Sequence, residues 1–236
     1  MEHWLEWARG PLFRASFAIM ILGLLRVLVL QAISLLGLIR QAKRNQRKIP
    51  YAVVAKASIR WLIPVGKLFE RRAVFSLTSV LFHICIIVVP ILLGAHILLW
   101  ERGIGLSWPA ISMQLADILT LGAIVTGLAL FVIRLSVMAN RAISRAQDYV
   151  WPLLIVLPFL SGYLAMHPAI NPFSYEASML IHVLSANLIF LLLPFSKLSH
   201  MALFPATQLV SELGWFLKPD SAQKVMTTLH KENEAI

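Results

Sequence analysis

The chain has 236 residues, of which 59% are hydrophobic and only 14% charged, and its formal net charge is +10. A soluble domain carries about a quarter charged residues, so this composition excludes an ordinary soluble globular protein. Most of the cations lie just outside long apolar blocks, which indicates membrane topology rather than nucleic-acid binding. The single cysteine excludes an intrachain disulfide, a cysteine-rich zinc site, an iron–sulfur cluster held by this chain alone and a covalently attached haem.

Five apolar blocks are long enough to form transmembrane helices, since crossing the bilayer requires roughly 20 apolar residues. In chain order they cover residues 15–38, 73–100, 110–133, 150–166 and 177–204. The first block is too long for a secretory signal peptide and no cleavage site follows it, so we expect it to be retained. The sequence therefore predicts an all-α integral membrane protein with five transmembrane helices.

The lysine and arginine residues between these blocks predict the orientation. Ten lie between the first two blocks, three follow the third block and four lie in the C-terminal region, whereas three lie on the opposite side. Because cytoplasmic loops carry the excess of cations, we predict an external N-terminus and a cytoplasmic C-terminus in a cytoplasmic (inner) membrane. The chain then comprises an outer N-terminus with the first helix (1–39), a basic cytoplasmic loop (40–72), a four-helix region (73–205) and a cytoplasmic tail (206–236).

The basic loop mixes apolar residues with spaced cations between positions 51 and 69. This pattern fits a helix that lies on the inner face of the membrane, where its cations contact anionic lipid headgroups. It fits a docking surface for a soluble partner equally well.

Four of the seven histidines lie within apolar blocks, namely His83, His96, His182 and His200. Ionisable residues inside a bilayer are costly, so they are functional candidates by default. In the predicted orientation, His83 and His200 share the cytoplasmic leaflet. His96 and His182 share the outer leaflet. Each pair can supply two axial imidazoles to one haem iron, so we predict a helix bundle that binds two b-type haems.

Helix geometry separates the two pairs. Eighteen residues make five full turns, so His182 and His200 share one face of an ideal helix, whereas His83 and His96 would point about 140° apart. The outer site therefore requires a distortion near Pro90. A zinc or copper site would need ligands clustered at one depth. A proton relay would need carboxylates in the bilayer, where Asp117 is the only candidate and fits a helix N-cap as well.

Short motifs surround these histidines: Leu81-Phe82-His83, Ala95-His96, Ile181-His182, and a Pro-Phe-Ser-Lys-Leu-Ser-His run that ends at His200. Across residues 73–205 these motifs resemble the cytochrome b (gamma) subunit of membrane-bound respiratory nitrate reductase. The resemblance implies that the four histidines ligate two haems and that quinol, menaquinol or ubiquinol, is oxidised near the outer haem. Electrons would then pass to an iron–sulfur protein on the cytoplasmic face.

Two features depart from the nitrate-reductase branch of that family. The histidines of the second block are three residues further apart, and the loop 40–72 is longer and more basic. Both features look closer to the relatives in heterodisulfide-reductase-like and sulfite-reduction-linked membrane complexes. The resemblance therefore implies a respiratory complex but does not imply nitrate as the acceptor.

The predicted function is an electron-transfer subunit of a quinol-linked oxidoreductase complex, not a complete enzyme, because the sequence offers no nucleotide-binding loop or other cofactor motif. Its predicted partners are membrane lipid, quinone and a cytoplasmic iron–sulfur subunit, with a periplasmic cytochrome c as the alternative and no nucleic acid. A cofactor-free membrane anchor or assembly subunit is the alternative function. A transporter is disfavoured because the sequence contains no internal repeat.

Further site residues are predicted around the haems. Candidate contacts for the inner-haem propionates are Arg71, Arg72, Arg141 and Lys197. Candidate residues of a quinone pocket are Trp100, Arg102, Asp117, His167 and Tyr175. Ser79 and Ser178 each precede a predicted ligand by four residues, so their hydroxyls are candidate hydrogen-bond partners of the imidazoles. Hydrogen bonding of each hydroxyl to the backbone of its own helix fits the sequence equally well.

Overall fold

The computed structural model describes residues 1–44, 46, 50–62, 73–217, 224 and 226–228, and this part of the chain is helical, with no strand. The helices are α1 (Glu2–Trp7), α2 (Phe13–Arg44), α3 (Tyr51–Leu62), α4 (Ala73–Leu92), α5 (Gly94–Ile104), α6 (Met113–Ser136), α7 (Met138–Ile143), α8 (Ala146–Met166), α9 (Tyr175–Leu192) and α10 (His200–Leu217). A π-helical turn (Ala8–Leu12) joins α1 to α2, and 3₁₀ turns cover Leu193–Phe195 and Lys197–Ser199.

Five helical stretches within the described residues are long and apolar enough to cross a membrane, as predicted. They are Glu2–Arg44, Ala73–Leu92, Met113–Ser136, Ala146–Met166 and Tyr175–Phe195. The first is much longer than the predicted block, because α1, the π-helical turn and α2 run on without interruption. The prediction of an all-α protein with five membrane-spanning helices is confirmed at this level.

Two predicted spans are interrupted, which corrects the premise of a single helix through each pair of histidines. The block 73–100 ends its first helix at Leu92, and Leu93 is extended (ψ 126°) before α5 begins. Pro90 lacks an N–H and clashes with the preceding turn, which favours a break there. In the block 177–204, Pro194 lies in a 3₁₀ turn and Ser196 is extended before α10 begins at His200. The angles deduced from ideal helices therefore do not apply.

Packing divides the chain into two units, which are described separately. The first comprises residues Met1–Ile19 and Gly66–Leu192, and the second comprises Met20–Val65 and Leu193–Ile236. The boundaries of these units differ from those of the four segments predicted from the sequence, which are 1–39, 40–72, 73–205 and 206–236.

In the first unit, α4, α6, α8 and α9 form a row in which each helix contacts the next, while α1 and the π-helical turn pack on α9. Small residues allow the helices to approach closely. A Cβ atom added at Gly127 of α6 would lie 2.5 Å from Val156 of α8 and 2.9 Å from Phe82 of α4. Close approach at small residues is how helices associate in lipid, where burial of apolar surface provides no driving force.

The first unit buries several polar side chains among its apolar ones, and it exposes large apolar side chains. Asn187 is 1% exposed, whereas Val125 and Ile118 are 65% and 66% exposed. Asn187 Nδ2 donates to the carbonyl of Ala8 at 3.0 Å, and Ser16 Oγ donates to Asn187 Oδ1 at 2.8 Å. These bonds tie the π-helical turn and the start of α2 to α9. Exposed apolar side chains around satisfied buried polar groups are expected of helices that face lipid.

The second unit has a small apolar core formed by Ala42, Val54 and Leu213, with Leu35, Leu38 and Leu209 packed against it. Helix α3 lies within the segment for which an amphipathic helix was predicted, and its Val54 side chain is buried where α3 packs on α10. The remainder of that segment, residues 63–69, lies outside the described residues.

Candidate functional site

The structure brings His96 of α5 and His182 of α9 together inside the first unit. The centroids of the two imidazole rings are 6.1 Å apart and the ring planes are nearly parallel, at 12°. Both side chains are half-buried. The two residues predicted to pair are therefore close together, although the sequence did not predict that His96 would lie on a separate helix, α5.

Each of these imidazoles is held by a backbone carbonyl. His96 Nδ1 lies 3.1 Å from the oxygen of Pro90, and His182 Nδ1 lies 2.7 Å from the oxygen of Pro158. Because a carbonyl oxygen only accepts, the proton of each neutral ring is on Nδ1, and the lone pair is on Nε2. A hydrogen bond at Nδ1 is how proteins fix the tautomer and orientation of a histidine that binds a metal through Nε2.

The break after α4 supplies the carbonyl that holds His96. Helix ends leave carbonyls without partners inside the helix, and the last three of α4 find partners beyond it. The oxygen of Ile91 accepts from Trp108 Nε1 at 2.9 Å, and that of Leu92 accepts from the Ile111 N–H at 3.0 Å. The oxygen of Pro90 is the one that meets His96. The same interruption that moves His96 onto a separate helix thus also orients its ring.

Gly162 of α8 allows the approach of His182. A Cβ atom added at this position would lie 2.8 Å from His182 Nδ1 and 3.0 Å from Cε1. These distances are shorter than van der Waals contact, so any side chain would displace the imidazole or push α8 away. Pro158, one turn earlier on α8, supplies the carbonyl that His182 contacts. Helix α8 therefore holds this ring at both positions.

The geometry of His96 and His182 fits two axial ligands of one haem iron. With a metal–nitrogen distance of about 2 Å, the centroids of two imidazoles on opposite sides of the metal lie about 6 Å apart. The described residues hold no group of three or more histidine, cysteine, aspartate or glutamate side chains that could share a metal ion. Two imidazoles are also the set of protein ligands that a haem with two histidine ligands would take.

His83 and His200 are held in the same manner. His83 Nδ1 lies 2.7 Å from the carbonyl oxygen of Ser79, and His200 Nδ1 lies 2.7 Å from that of Lys197. His83 belongs to the first unit and His200 to the second, so their pairing stays a prediction. The partner that Ser79 offers His83 is its carbonyl rather than the predicted hydroxyl. The prediction for Ser178 was wrong, since its hydroxyl bonds with Asn171.

The candidate propionate contacts are spread over both units. Arg71 and Arg72 lie outside the described residues. Arg141 of α7 is exposed and donates to the carbonyl of Leu135 at 3.0 Å. Lys197 is exposed and belongs to the second unit. Their contact with a haem stays a prediction.

Of the candidate quinone-pocket residues, only Asp117 and His167 are brought into contact with one another. Asp117 Oδ2 lies 3.3 Å from His167 Nε2, and both side chains are about one-third exposed. The N-cap of α6 is Ser112, which accepts from the Leu115 N–H, so the N-cap interpretation of Asp117 was wrong.

The other three candidates have separate surroundings. Trp100 packs edge-on against Phe17 and contacts Trp108, and Arg102 is exposed. The hydroxyl of Tyr175 is 3.5 Å from the Arg9 guanidinium.

Four residues near the site were missed from the sequence: Arg9, Pro158, Gly162 and Tyr163. Arg9 lies within electrostatic range of His182, and Tyr163 stacks on His167 with ring centroids 4.1 Å apart. The signals were the spacings of four residues between Pro158 and Gly162 and between Tyr163 and His167, which place each pair on one helix face. No sequence signal linked Arg9 to α9.

No protein-family model and no solved structure matches the chain. A curated protein of Nitratidesulfovibrio vulgaris, whose printed name states no function, is 29% identical over 197 residues. The match covers 83% of this chain and 86% of that protein. The similarity therefore extends over most of the length of both chains.

Proposed function

We propose that the chain is a dihaem b-type cytochrome subunit of a membrane-bound respiratory oxidoreductase complex. In this role it exchanges electrons between quinol or quinone and an iron–sulfur subunit, and it belongs with the relatives of the nitrate-reductase gamma subunit that it resembles. The observation that carries the proposal is the pair of His96 and His182, which are nearly parallel, 6.1 Å apart and each held through Nδ1 by a carbonyl.

The protein's part in this function is to present, orient and insulate the ligands. The carbonyls of Pro90 and Pro158 keep the Nδ1 protons and so leave the Nε2 lone pairs for a haem iron. Gly162 keeps α8 against the His182 ring, and the lipid-facing side chains exclude water from the surrounding helices. A haem bound there supplies an iron that takes up and gives off one electron at a time, with a potential tuned by these contacts.

The second haem is assigned to His83 and His200. It rests on the sequence pattern and on the Nδ1 contacts of both rings with carbonyl oxygens at 2.7 Å. We further propose the orientation given by the cations, with the N-terminus outside and the C-terminus in the cytoplasm of an inner membrane. His83 and His200 then lie toward the cytoplasmic partner, and His96 and His182 toward the outer face, where quinol would be oxidised.

The test is the visible spectrum and haem content of the purified protein. We expect a reduced-minus-oxidised spectrum of b-type haem and two haems per chain in a pyridine haemochrome titration. His182→Gln should lower the haem content to one per chain, while His3→Gln, at the N-terminus, should leave it at two. A colourless protein would overturn the proposal and favour a cofactor-free membrane anchor.

A further inference from the structure

A second titratable pair lies near the predicted outer haem site. Asp117 stands near the start of α6 and His167 directly follows α8, with 3.3 Å between Oδ2 and Nε2. Along α8, Gly162 touches His182, and five residues further, at about 1.5 Å per residue, the chain reaches His167 roughly 7–8 Å beyond. The pair therefore lies at the C-terminal end of α8, beyond the residues of this helix that contact His182.

The hydrogen bonds of His167 determine how the pair holds protons. His167 Nδ1 lies 2.8 Å from the carbonyl oxygen of Tyr163, so this nitrogen carries a proton. Nε2 of the neutral ring then directs a lone pair at the Asp117 carboxylate, which offers only lone pairs in return. One further proton placed between the two atoms turns this repulsion into an ion pair. The geometry therefore allows the two atoms to share one added proton.

The environment strengthens that preference. The Tyr163 ring stacks on the imidazole at 4.1 Å and fixes its orientation toward Asp117. Both members of the pair are about one-third exposed, so a proton donor from outside the helices can reach them.

We propose that the Asp117–His167 pair is the proton acceptor for quinol oxidation, a proposal that rests on the function proposed above. Oxidation of one quinol breaks two O–H bonds and yields one quinone, two protons and two electrons. A haem held by His96 and His182 would be the oxidant that takes up the two electrons one at a time. Each proton moves in turn to the shared position between His167 Nε2 and Asp117 Oδ2, and from there to external water.

Other titratable and charged groups occur on the elements packed around this end. They are Tyr163 on α8, Tyr175, Glu176 and His182 on α9, Arg9 on the π-helical turn, and His96, Glu101 and Arg102 on α5. None of the contacts described for these groups places a second carboxylate against an imidazole. The Asp117–His167 pair is therefore the acceptor that the described residues favour.

The test compares two routes of haem reduction in Asp117→Asn and His167→Gln. Reduction by a short-chain quinol requires a proton acceptor, whereas reduction by dithionite does not. Because general-base catalysis contributes about 10²-fold or more, we expect quinol-driven reduction to slow by about that factor in both variants, with the dithionite rate unchanged. Asp117→Glu should restore much of the rate, and Glu176→Gln is the matched control that removes a carboxylate from α9.

A spectroscopic measurement tests the same step without relying on rates. In protein labelled with ¹⁵N-histidine, the quinol-induced infrared difference spectrum should contain an isotope-sensitive imidazole band that is absent from His167→Gln. Wild-type rates in both variants, or an unchanged infrared spectrum, would overturn the proton-acceptor proposal while the haem bands remain. Loss of the haem bands from the wild type would instead overturn the proposed function.

Discussion

Each of the two units is held together internally by a different kind of contact. The first buries asparagine, serine and threonine side chains between helices whose outer surfaces are apolar, and it relies on close approach at residues such as Gly127 and Gly162. The second buries Ala42, Val54 and Leu213 in a core of the kind found in soluble proteins. Since lipid is as apolar as leucine, burial of apolar side chains adds little to the association of the membrane-spanning helices in the first unit.

This difference shows how a membrane protein can specify a site. In the first unit, stability and site geometry depend on the same features, namely small residues and polar contacts between helices. Pro158 and Gly162 shape α8 and also hold His182. A substitution there should therefore affect the site and the packing together, whereas in the second unit the two should separate.

The largest expected effect is that of Gly162→Ala in the first unit. The added methyl group would lie 2.8 Å from His182 Nδ1, so we expect loss of the haem assigned to His96 and His182. The measurement is haem content, which should fall from two per chain to one. Gly103→Ala is the matched control, because nothing lies within 4 Å of its added Cβ. Full haem content in Gly162→Ala would mean that the ring is not held as described.

Leu213→Ala should produce the next largest effect, in the second unit. This side chain is 2% exposed, and truncation of a buried leucine costs about 2–5 kcal/mol. We expect a lower midpoint of thermal unfolding in detergent with the haem of His96 and His182 retained. Leu36→Ala, at a position that is 51% exposed on α2, should change the midpoint little. Equal effects of the two substitutions would argue against an apolar core in this unit.

Asn187→Leu should have a smaller effect on stability than Leu213→Ala. It removes the side-chain donor to the Ala8 carbonyl, while the Ser16 hydroxyl keeps its bond to the Phe13 carbonyl. A buried polar group that loses its partner costs about 1–3 kcal/mol. We expect earlier proteolysis near the π-helical turn as well as a lower unfolding midpoint. The control is Ser34→Ala, whose exposed hydroxyl bonds only to the carbonyl of Leu30. A midpoint as high as that of the control would show that the hydrogen bonds of Asn187 do not stabilise the packing.

The smallest effect per substitution is expected when cations of the basic loop, residues 40–72, are neutralised. Neutralising Arg44, Arg47, Lys48 and Lys56 together should weaken co-purification of a cytoplasmic partner, while both haem bands remain. Each cation near an anionic surface contributes about 1 kcal/mol, so the loss should be graded as single substitutions are combined. Arg47 and Lys48 lie outside the described residues. An unaltered complex would assign these charges to topology and lipid contact alone.

The helical class and the number of membrane-spanning helices could be predicted because both depend on composition along the chain. The breaks at Leu93 and Ser196 could not be placed, since a proline such as Pro90 is tolerated within many membrane helices and tertiary contacts decide whether the helix ends. The proximity of His96 and His182 followed from depth, but their ring contacts did not. Backbone carbonyls carry no signature in a sequence, and so Pro90 and Pro158 could not be recognised as partners.

The interruption at Leu93 also bears on how this protein can change in evolution. On one continuous helix, each residue inserted between two ligands rotates one against the other by about 100°. With His83 on α4 and His96 on α5, residues gained or lost at the break alter the separation along the chain without turning either ring away from its own helix face. A lineage with such a break can lengthen or shorten the segment stepwise, and related chains are better compared by the local surroundings of each histidine than by a fixed count between them.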